Sequence, residues 1–484
     1  MRFKKSLLVA VCLMAVSWSK AAWCGNELFP PPDSSVLRSV VFQRLSDGKI
    51  IYQQNADTPL SPASTTKLIT SAVALCKFSP SHQFKTEFSY TGKRSGGIIS
   101  GDLIVKGGGD PLLTNEKLWQ LAADLRHLGI SEIRGNILVD NSLYPDSTHD
   151  DSRLSGKKRS SHAYDAPISA FAANFNTFAI AIAPSPLINH SPMVELDPYD
   201  IPNLTIVNNL KTVASGIKGL PSVSRLSPEK GAAKLVLSGA VAMDSKIRKI
   251  YRSANDPVWA SGEQLKSFLE HERISVMGTI LPWESSRKVA SIPLYTLEGY
   301  DLDYIIRGLN RFSTNFTADM LVKNLGVTFG KNGSMEEGVR VIEQFLAQEV
   351  GLSPLPTLIN GSGLDHNNRM SARQLAAILR YMHNRIDVFP EFFASLPLAS
   401  RDGTMERRFH RNGTEDVAQR VRGKTGTLSQ PISVASIAGY LYHPAHGLTS
   451  FVIIENGILG KAQPDLAALR QSQDRSITKF IKEF

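Results

Sequence analysis

Pro59-Leu60-Ser61-Pro62-Ala63-Ser64-Thr65-Thr66-Lys67 runs directly into Leu68, Ile69, Ala72, Val73 and Leu75. Two prolines punctuate a loop, and the apolar spacing behind them predicts a buried helix that opens near Ser64. Ser64 and Lys67 are three positions apart, so one helical turn puts both side chains on the same face. A serine hydroxyl is a weak nucleophile until a base takes its proton. A lysine amine serves as that base only when burial or a neighbouring cation pulls its pKa down. The positive start of a helix also favours an oxyanion forming there. Alone, the same pattern reads better as a helix N-cap beside a solvated lysine.

Two further motifs raise its standing. Ser313-Thr314-Asn315 stands just before a helical pattern, and Lys424-Thr425-Gly426-Thr427 stands before a hairpin. Singly they read as a turn and an exposed strand end; three in this order are not expected by chance. Lys424 could be the cation that lowers the pKa of Lys67.

The surrounding segments sort by period. Val40-Val41-Phe42 and Ile50-Ile51-Tyr52 flank Ser46-Asp47-Gly48, which predicts a β-hairpin. Helices are predicted over 304–309, 318–325, 335–350 and 371–383, the last with Ser371 as N-cap. Runs 434–442 and 448–455 predict a second hairpin, and Leu466, Leu469, Ile477, Phe480, Ile481 and Phe484 mark a closing helix. Between them, short β-type runs such as Leu103-Ile104-Val105 and Ile137-Leu138-Val139 alternate with Gly, Pro and Ser. The expected organisation is one α/β domain in two pieces, 22–81 and 291–484. Residues 82–290 are expected to form mostly β inserted subdomains, one or two in number.

At 484 residues the chain is long enough for about three domains. Its 42% hydrophobic and 20% charged residues exclude a disordered, collagen-like or disulfide-stapled chain. The net charge of +10 invites a nucleic-acid partner. Four of the basic residues (Arg2, Lys4, Lys5 and Lys20) fall within 1–21, which holds no acid, so +6 remains beyond it and no nucleic acid is expected. Residues 1–21 themselves read as a signal peptide: a positive start, an apolar run Leu7 to Val16, then Ser19-Lys20-Ala21. The run is short for a membrane span of about 20 residues, and Trp23 disfavours a lipoprotein through Cys24. An exported, periplasmic or wall-located soluble protein is expected.

Cys24 and Cys76 could pair in an oxidising compartment, although Cys76, among Ala72, Val73 and Leu75, reads better as a buried thiol. Asp146, His149, Asp150, Asp151, His162 and Asp165 crowd together, but their spacing fits no standard metal motif and Lys157-Lys158-Arg159 interrupts them. They read as a solvated loop, in which an acid could still recognise a diamino acid. No metal and no cofactor are expected. Gly107-Gly108-Gly109 lacks the Gly-Lys-Ser/Thr of a phosphate loop. The closing helix, with Lys479 and Lys482 beside Phe480 and Phe484, could touch a membrane surface; packing on the sheet is the favoured use.

The three motifs together resemble the active-site set of penicillin-binding proteins and serine β-lactamases. Within that group the chain resembles the D-alanyl-D-alanine carboxypeptidase/endopeptidase branch, low-molecular-mass class C of type four. Ser313 lies 246 positions after Lys67, room for the extra domains of that branch. Gly101-Asp102-Leu103 with Gly107 to Pro111, Asp165-Ala166-Pro167 with Asn174-Phe175-Asn176, Asn360 to Leu364, and Ser395-Leu396-Pro397 with Arg401 to Thr404 are similar to its other segments. Thr314 departs from the commoner Asp.

The resemblance implies an antiparallel sheet flanked by helices, with inserted subdomains. It implies that Ser64 attacks the penultimate D-Ala carbonyl, that Lys67 is the base, and that Ser313 relays a proton to the leaving nitrogen. Asn315 would hold Lys67 and the substrate amide. Lys424 would add positive potential, Thr425 and Thr427 would bind the terminal carboxylate, and Gly426 completes that substrate-binding motif. Backbone N–H groups of Ser64 and Thr427 would form the oxyanion hole. Partners so implied are peptidoglycan stem peptides, and β-lactams as covalent inhibitors. Two alternatives are a serine β-lactamase, against which the long insert argues, and a non-catalytic wall-binding protein, against which the intact Ser64, Lys67, Ser313, Asn315 and Lys424 argue. Oligomeric state and the balance of carboxypeptidase against endopeptidase activity stay open.

Overall fold

The two ends of the chain meet in one sheet. In the computed structural model, which describes residues 28–29, 34–145, 160–201, 203–226, 231, 233–284, 290–411 and 413–484, five strands pair throughout in antiparallel fashion. Their order is Val421–Leu428, Val434–His443, Gly447–Gly457, Val36–Arg44 and Ile50–Gln54, so both predicted hairpins are present. The expected signal peptide, Cys24 and the stretch from Asp146 to Arg159 lie outside the described residues.

Helices cover both faces of this sheet, which is why Phe451-Val452-Ile453-Ile454 is apolar at every position and not at alternate ones. The two-residue period sorts the side chains. Val40, Phe42, Phe451 and Ile453 meet Ile477, Phe480 and Ile481 of the closing helix Leu466–Glu483. Phe480 stacks on Phe42 with ring centroids 4.2 Å apart. Of the apolar residues considered for membrane contact, Phe480 is thus buried in the core and Phe484 is half-buried against it. Lys482 pairs with Asp416 at 2.8 Å and Lys479 with Glu483 at 3.8 Å at its rim.

On the other face Val41, Val452 and Ile454 meet the helix Lys67–Phe78, together with Leu302–Phe312, Asn315–Phe329, Met335–Gln348 and Ala372–His383. These are the predicted helices. Two of them run two to four residues further at either end, because turns and caps continue past the apolar stripe. Ser371 forms a full capping box with Gln374. Cys76 sits half-buried, its Sγ 3.8 Å from Met382 Sδ, and burial pushes its thiol up to about 11.

The insert is nested. Its five-stranded sheet has the order Ile280–Pro282, Ile137–Asp140, Leu103–Lys106, Gln83–Tyr90 and Ile292–Asp301. Within its span, the six strands from Thr177–Ala183 to Arg248–Ser253 form two three-stranded sheets around Phe178, Ile180, Leu235 and Leu237. Two helices that the β-type texture conceals, Asn115–His127 and Pro257–His271, pack Leu118, Leu121, Leu125, Leu265 and Phe268 against the larger sheet. They follow from the pairing. Leu103–Lys106, Ile137–Asp140 and Ile280–Pro282 are parallel neighbours, and parallel strands need a crossover, usually a helix. Ile292–Asp301 pairs with Gln83–Tyr90, so this sheet extends past residue 290, the expected end of the insert.

The insert leans on Asn315–Phe329. Asn324 Nδ2 donates to Gly109 O at 2.8 Å, Tyr144 OH donates to Asn324 Oδ1 at 2.6 Å, and the rings of Phe175 and Phe316 lie 5.8 Å apart. Among the described residues no helix is long and apolar enough to cross a membrane. The closing helix gives a direct test of the core. Phe480→Ala is expected to lower unfolding free energy by about 3–5 kcal/mol, read from urea transitions. A loss under about 1 kcal/mol would mean that this ring does not hold helix to sheet.

Candidate active site

The segment before the first helix is fastened to the sheet. Asn456 accepts Ser61 N–H at 2.8 Å and returns its amide to Ser61 O at 3.0 Å. A 3-10 turn, Ala63–Thr66, then carries Ser64 into the helix that begins at Lys67. The Thr65 and Thr66 hydroxyls donate to Pro62 O and Ala63 O and tighten that turn. Ala63 takes φ 48° and Ser313 takes φ 60°, left-handed values that non-glycine residues adopt at some cost and that gather at functional sites.

Lys67 is fully buried. Its Nζ stands 3.0 Å from Ser64 Oγ, 2.8 Å from Asn315 Oδ1 and 2.5 Å from Ser362 O. Asn315 opens its helix two residues after Ser313, which caps the C-terminus of the helix before it. Ser313 Oγ accepts from Lys424 Nζ at 2.7 Å, and Lys424 also donates to Thr425 O at 2.8 Å. Lys424 is fully buried; burial, and then the charge of Lys67, push its amine well below the ordinary lysine range. The structure therefore brings Ser64, Lys67, Ser313, Asn315 and Lys424 into one connected cluster.

Gly426 explains how the strand reaches it. A Cβ at this position would lie 2.9 Å from Ser64 N, 2.9 Å from Pro62 O and 2.3 Å from Ser436 Oγ, closer than any side chain tolerates. Ser436, opposite Gly426 in the ladder, donates its hydroxyl to Pro62 O at 2.6 Å. Thr425 and Thr427 alternate out from Lys424 and Gly426. Thr425 Oγ1 bonds Thr404 Oγ1 at 2.7 Å, and Thr427 Oγ1 accepts from Arg470 at 3.2 Å. The strand Val421–Leu428 is the edge of its sheet, and Pro397 to Ala399 bonds its first part. Among the described residues no strand covers the other part.

Sequence reasoning misses several participants. The carbonyl of Ser362 is one: Asn360 and Asn368 fix its loop, and its N–H reaches Asp319 Oδ1 at 2.8 Å. A backbone carbonyl leaves no signature in residue type. Asp319 did leave one, an acid within an apolar helical run, four residues after Asn315 and hence on the same face. Thr404 and Arg470 reach the strand only through the fold. The described part of the acidic crowd is local: Asp165 accepts from the backbone and hydroxyl of Ser160, and His162 stacks on Tyr164. Among the described residues no three His, Cys, Asp or Glu side chains converge as metal ligands would.

The chain is similar to the D-alanyl-D-alanine carboxypeptidase of Actinomadura sp. (strain R39), 26% identical over 89% of this chain and 80% of that protein. Likewise it is 22% identical to the D-alanyl-D-alanine carboxypeptidase DacB of Haemophilus influenzae, over 86% of this chain and 85% of that one. Among solved structures, penicillin binding protein 4 (dacB) from Haemophilus influenzae superposes with a TM-score of 0.75 at 20% identity, covering 94% of this chain and 98% of that one. A predatory peptidoglycan endopeptidase from Bdellovibrio bacteriovorus does so at 0.53 and 15% identity, covering 92% of each chain. The fold is thus the α/β penicillin-binding-protein fold with additional domains. The D-Ala-D-Ala carboxypeptidase 3 (S13) family matches residues 32–475, nearly the whole chain, and the chain belongs to that family.

Proposed function

We propose that this serine-type peptidoglycan DD-peptidase cleaves both D-Ala-D-Ala termini and D-Ala-diamino acid cross-links through an acyl-Ser64 intermediate. One observation carries the mechanism: Lys67 Nζ stands within hydrogen-bond distance of Ser64 Oγ, Asn315 Oδ1 and Ser362 O. Asn315 Oδ1 and Ser362 O can only accept. In the neutral amine, the two N–H bonds serve these oxygens and the lone pair falls toward Ser64 Oγ. Deprotonation of Lys67 therefore leaves a base already aimed at the nucleophile's proton.

The remaining roles follow from position. Substrate backbone extends along the uncovered edge of Lys424–Leu428, as peptides add to free sheet edges. The scissile carbonyl oxygen then faces the N–H groups of Ser64 and Thr427, and one such donor is worth about 3 kcal/mol of transition-state stabilisation. Ser64 Oγ bonds to the carbonyl carbon as its proton passes to Lys67. Ser313, whose oxygen Lys424 already occupies as donor, gives its own proton to the leaving nitrogen as the C–N bond breaks. It is reprotonated from the Lys67–Lys424 amine pair, which held the proton taken from Ser64, so that Lys67 is again neutral. Water then hydrolyses the ester. Thr425 and Thr427 hold the carboxylate of the leaving residue.

The family supports release of D-Ala, and the likeness to a protein described as a peptidoglycan endopeptidase supports the wider range. β-Lactams would acylate the same serine; the Haemophilus protein has been solved with a β-lactam and a Bdellovibrio endopeptidase with penicillin G. Peptidoglycan as substrate places the action outside the cytoplasm, in the periplasm or wall, with residues 1–21 as the export signal.

Labelled penicillin is expected to give a stable adduct on Ser64, and Ser64→Ala to lose both adduct and D-Ala release while keeping its unfolding transition. Rapid turnover of penicillin would mark a β-lactamase; retained release in the variant would refute the assignment. Gly426→Ala, which must displace the strand from Ser64, is expected to slow acylation about 100-fold. Acylation at the wild-type rate would show that this close approach is not needed.

A further inference from the structure

A groove of about 820 Å³ opens beside Thr425 and Thr427, between the segment 403–414 and the start of the closing helix. That volume suits a peptide-sized ligand and exceeds what a single alanine needs. Its lining holds five arginines against two acids, Glu406 and Asp474, and also includes His410. Not all of this charge is available. Arg408 is buried and paired with Asp474 at 2.6 Å, and Arg470 is turned to Thr427. Arg407, Arg411 and Arg475 are exposed, and none forms an ion pair among the described residues.

The position of the groove gives this charge a direction. On the mechanism above, on which this step rests, Thr425 and Thr427 hold the carboxylate of the leaving residue. Whatever continues beyond that residue leaves Ser64 across the same two threonines and enters the groove. A departing D-Ala ends at its carboxylate. A departing stem peptide continues, and it carries further carboxylates. Guanidinium groups match carboxylates with paired hydrogen bonds, and a cationic wall raises the local concentration of an anionic ligand.

We propose that this groove is the subsite of the departing strand in cross-link cleavage, where Arg411 and Arg475 pair with carboxylates that a departing D-Ala lacks. The groove then favours cross-linked over monomeric substrate, and its contribution weakens with salt.

The test compares wild type with Arg411→Ala/Arg475→Ala and with Arg475→Glu, using three readouts on the full protein. These are penicillin acylation, D-Ala release from a monomeric pentapeptide, and cleavage of a cross-linked muropeptide dimer. The expected result is a fall of about tenfold in kcat/KM for the dimer, with acylation and D-Ala release within about twofold of wild type. Added salt should slow wild-type dimer cleavage and leave the double variant little changed. Equal losses on both substrates, unchanged dimer cleavage, or a wild type that releases D-Ala but leaves the dimer intact would overturn the proposal. A wild type that takes no penicillin and releases no D-Ala would remove the peptidase mechanism itself, a failure distinct from that of the groove.

Discussion

One buried amine organises the molecule. Lys67 Nζ is met by a turn at Ser64, a helix start at Asn315 and a loop carbonyl at Ser362, from three segments far apart in sequence. A fourth segment adds Lys424, itself buried and linked through Ser313. Two amines withdrawn from water so close together resist carrying two charges, and the site is driven toward a neutral amine. That arrangement is expensive for folding and useful for chemistry. Elsewhere the chain supplies the rigidity that holds it.

The sheet is the first source of that rigidity. Its outer strand carries Lys424 to Thr427, and its neighbours come from both ends of the chain, so the site forms only when residues 36–54 and 421–457 have paired. Asn456 ties the same sheet to Ser61, three residues before the proposed nucleophile. The insert is the second source. Its contacts through Gly109, Tyr144 and Phe175 fall on the helix that begins with Asn315, which gives a long excursion between Lys67 and Ser313 a structural bearing on the proposed base.

Much of the candidate site was legible because the proposed chemistry demands particular side chains at particular spacings. Ser64 and Lys67, Ser313 and Asn315, and Lys424 to Thr427 are such demands, and the structure places them together. The helices around Leu68, Leu321 and Leu375 were legible by period. What escaped is what residue type does not encode: a carbonyl at Ser362, or the reach of Arg470 to a threonine 43 positions away. The two insert helices escaped differently. Leu118, Leu121 and Leu125 keep helical spacing, but only the parallel pairing of distant strands makes a crossover necessary there.

The pH dependence of β-lactam acylation tests the central claim most directly. The rate should climb with pH through an apparent pKa that belongs to the Lys67–Lys424 pair and lies well below the ordinary lysine value of about 10.4, then level off. A rate still climbing at about pH 10, as an unperturbed lysine would give, would contradict a buried amine acting as the base.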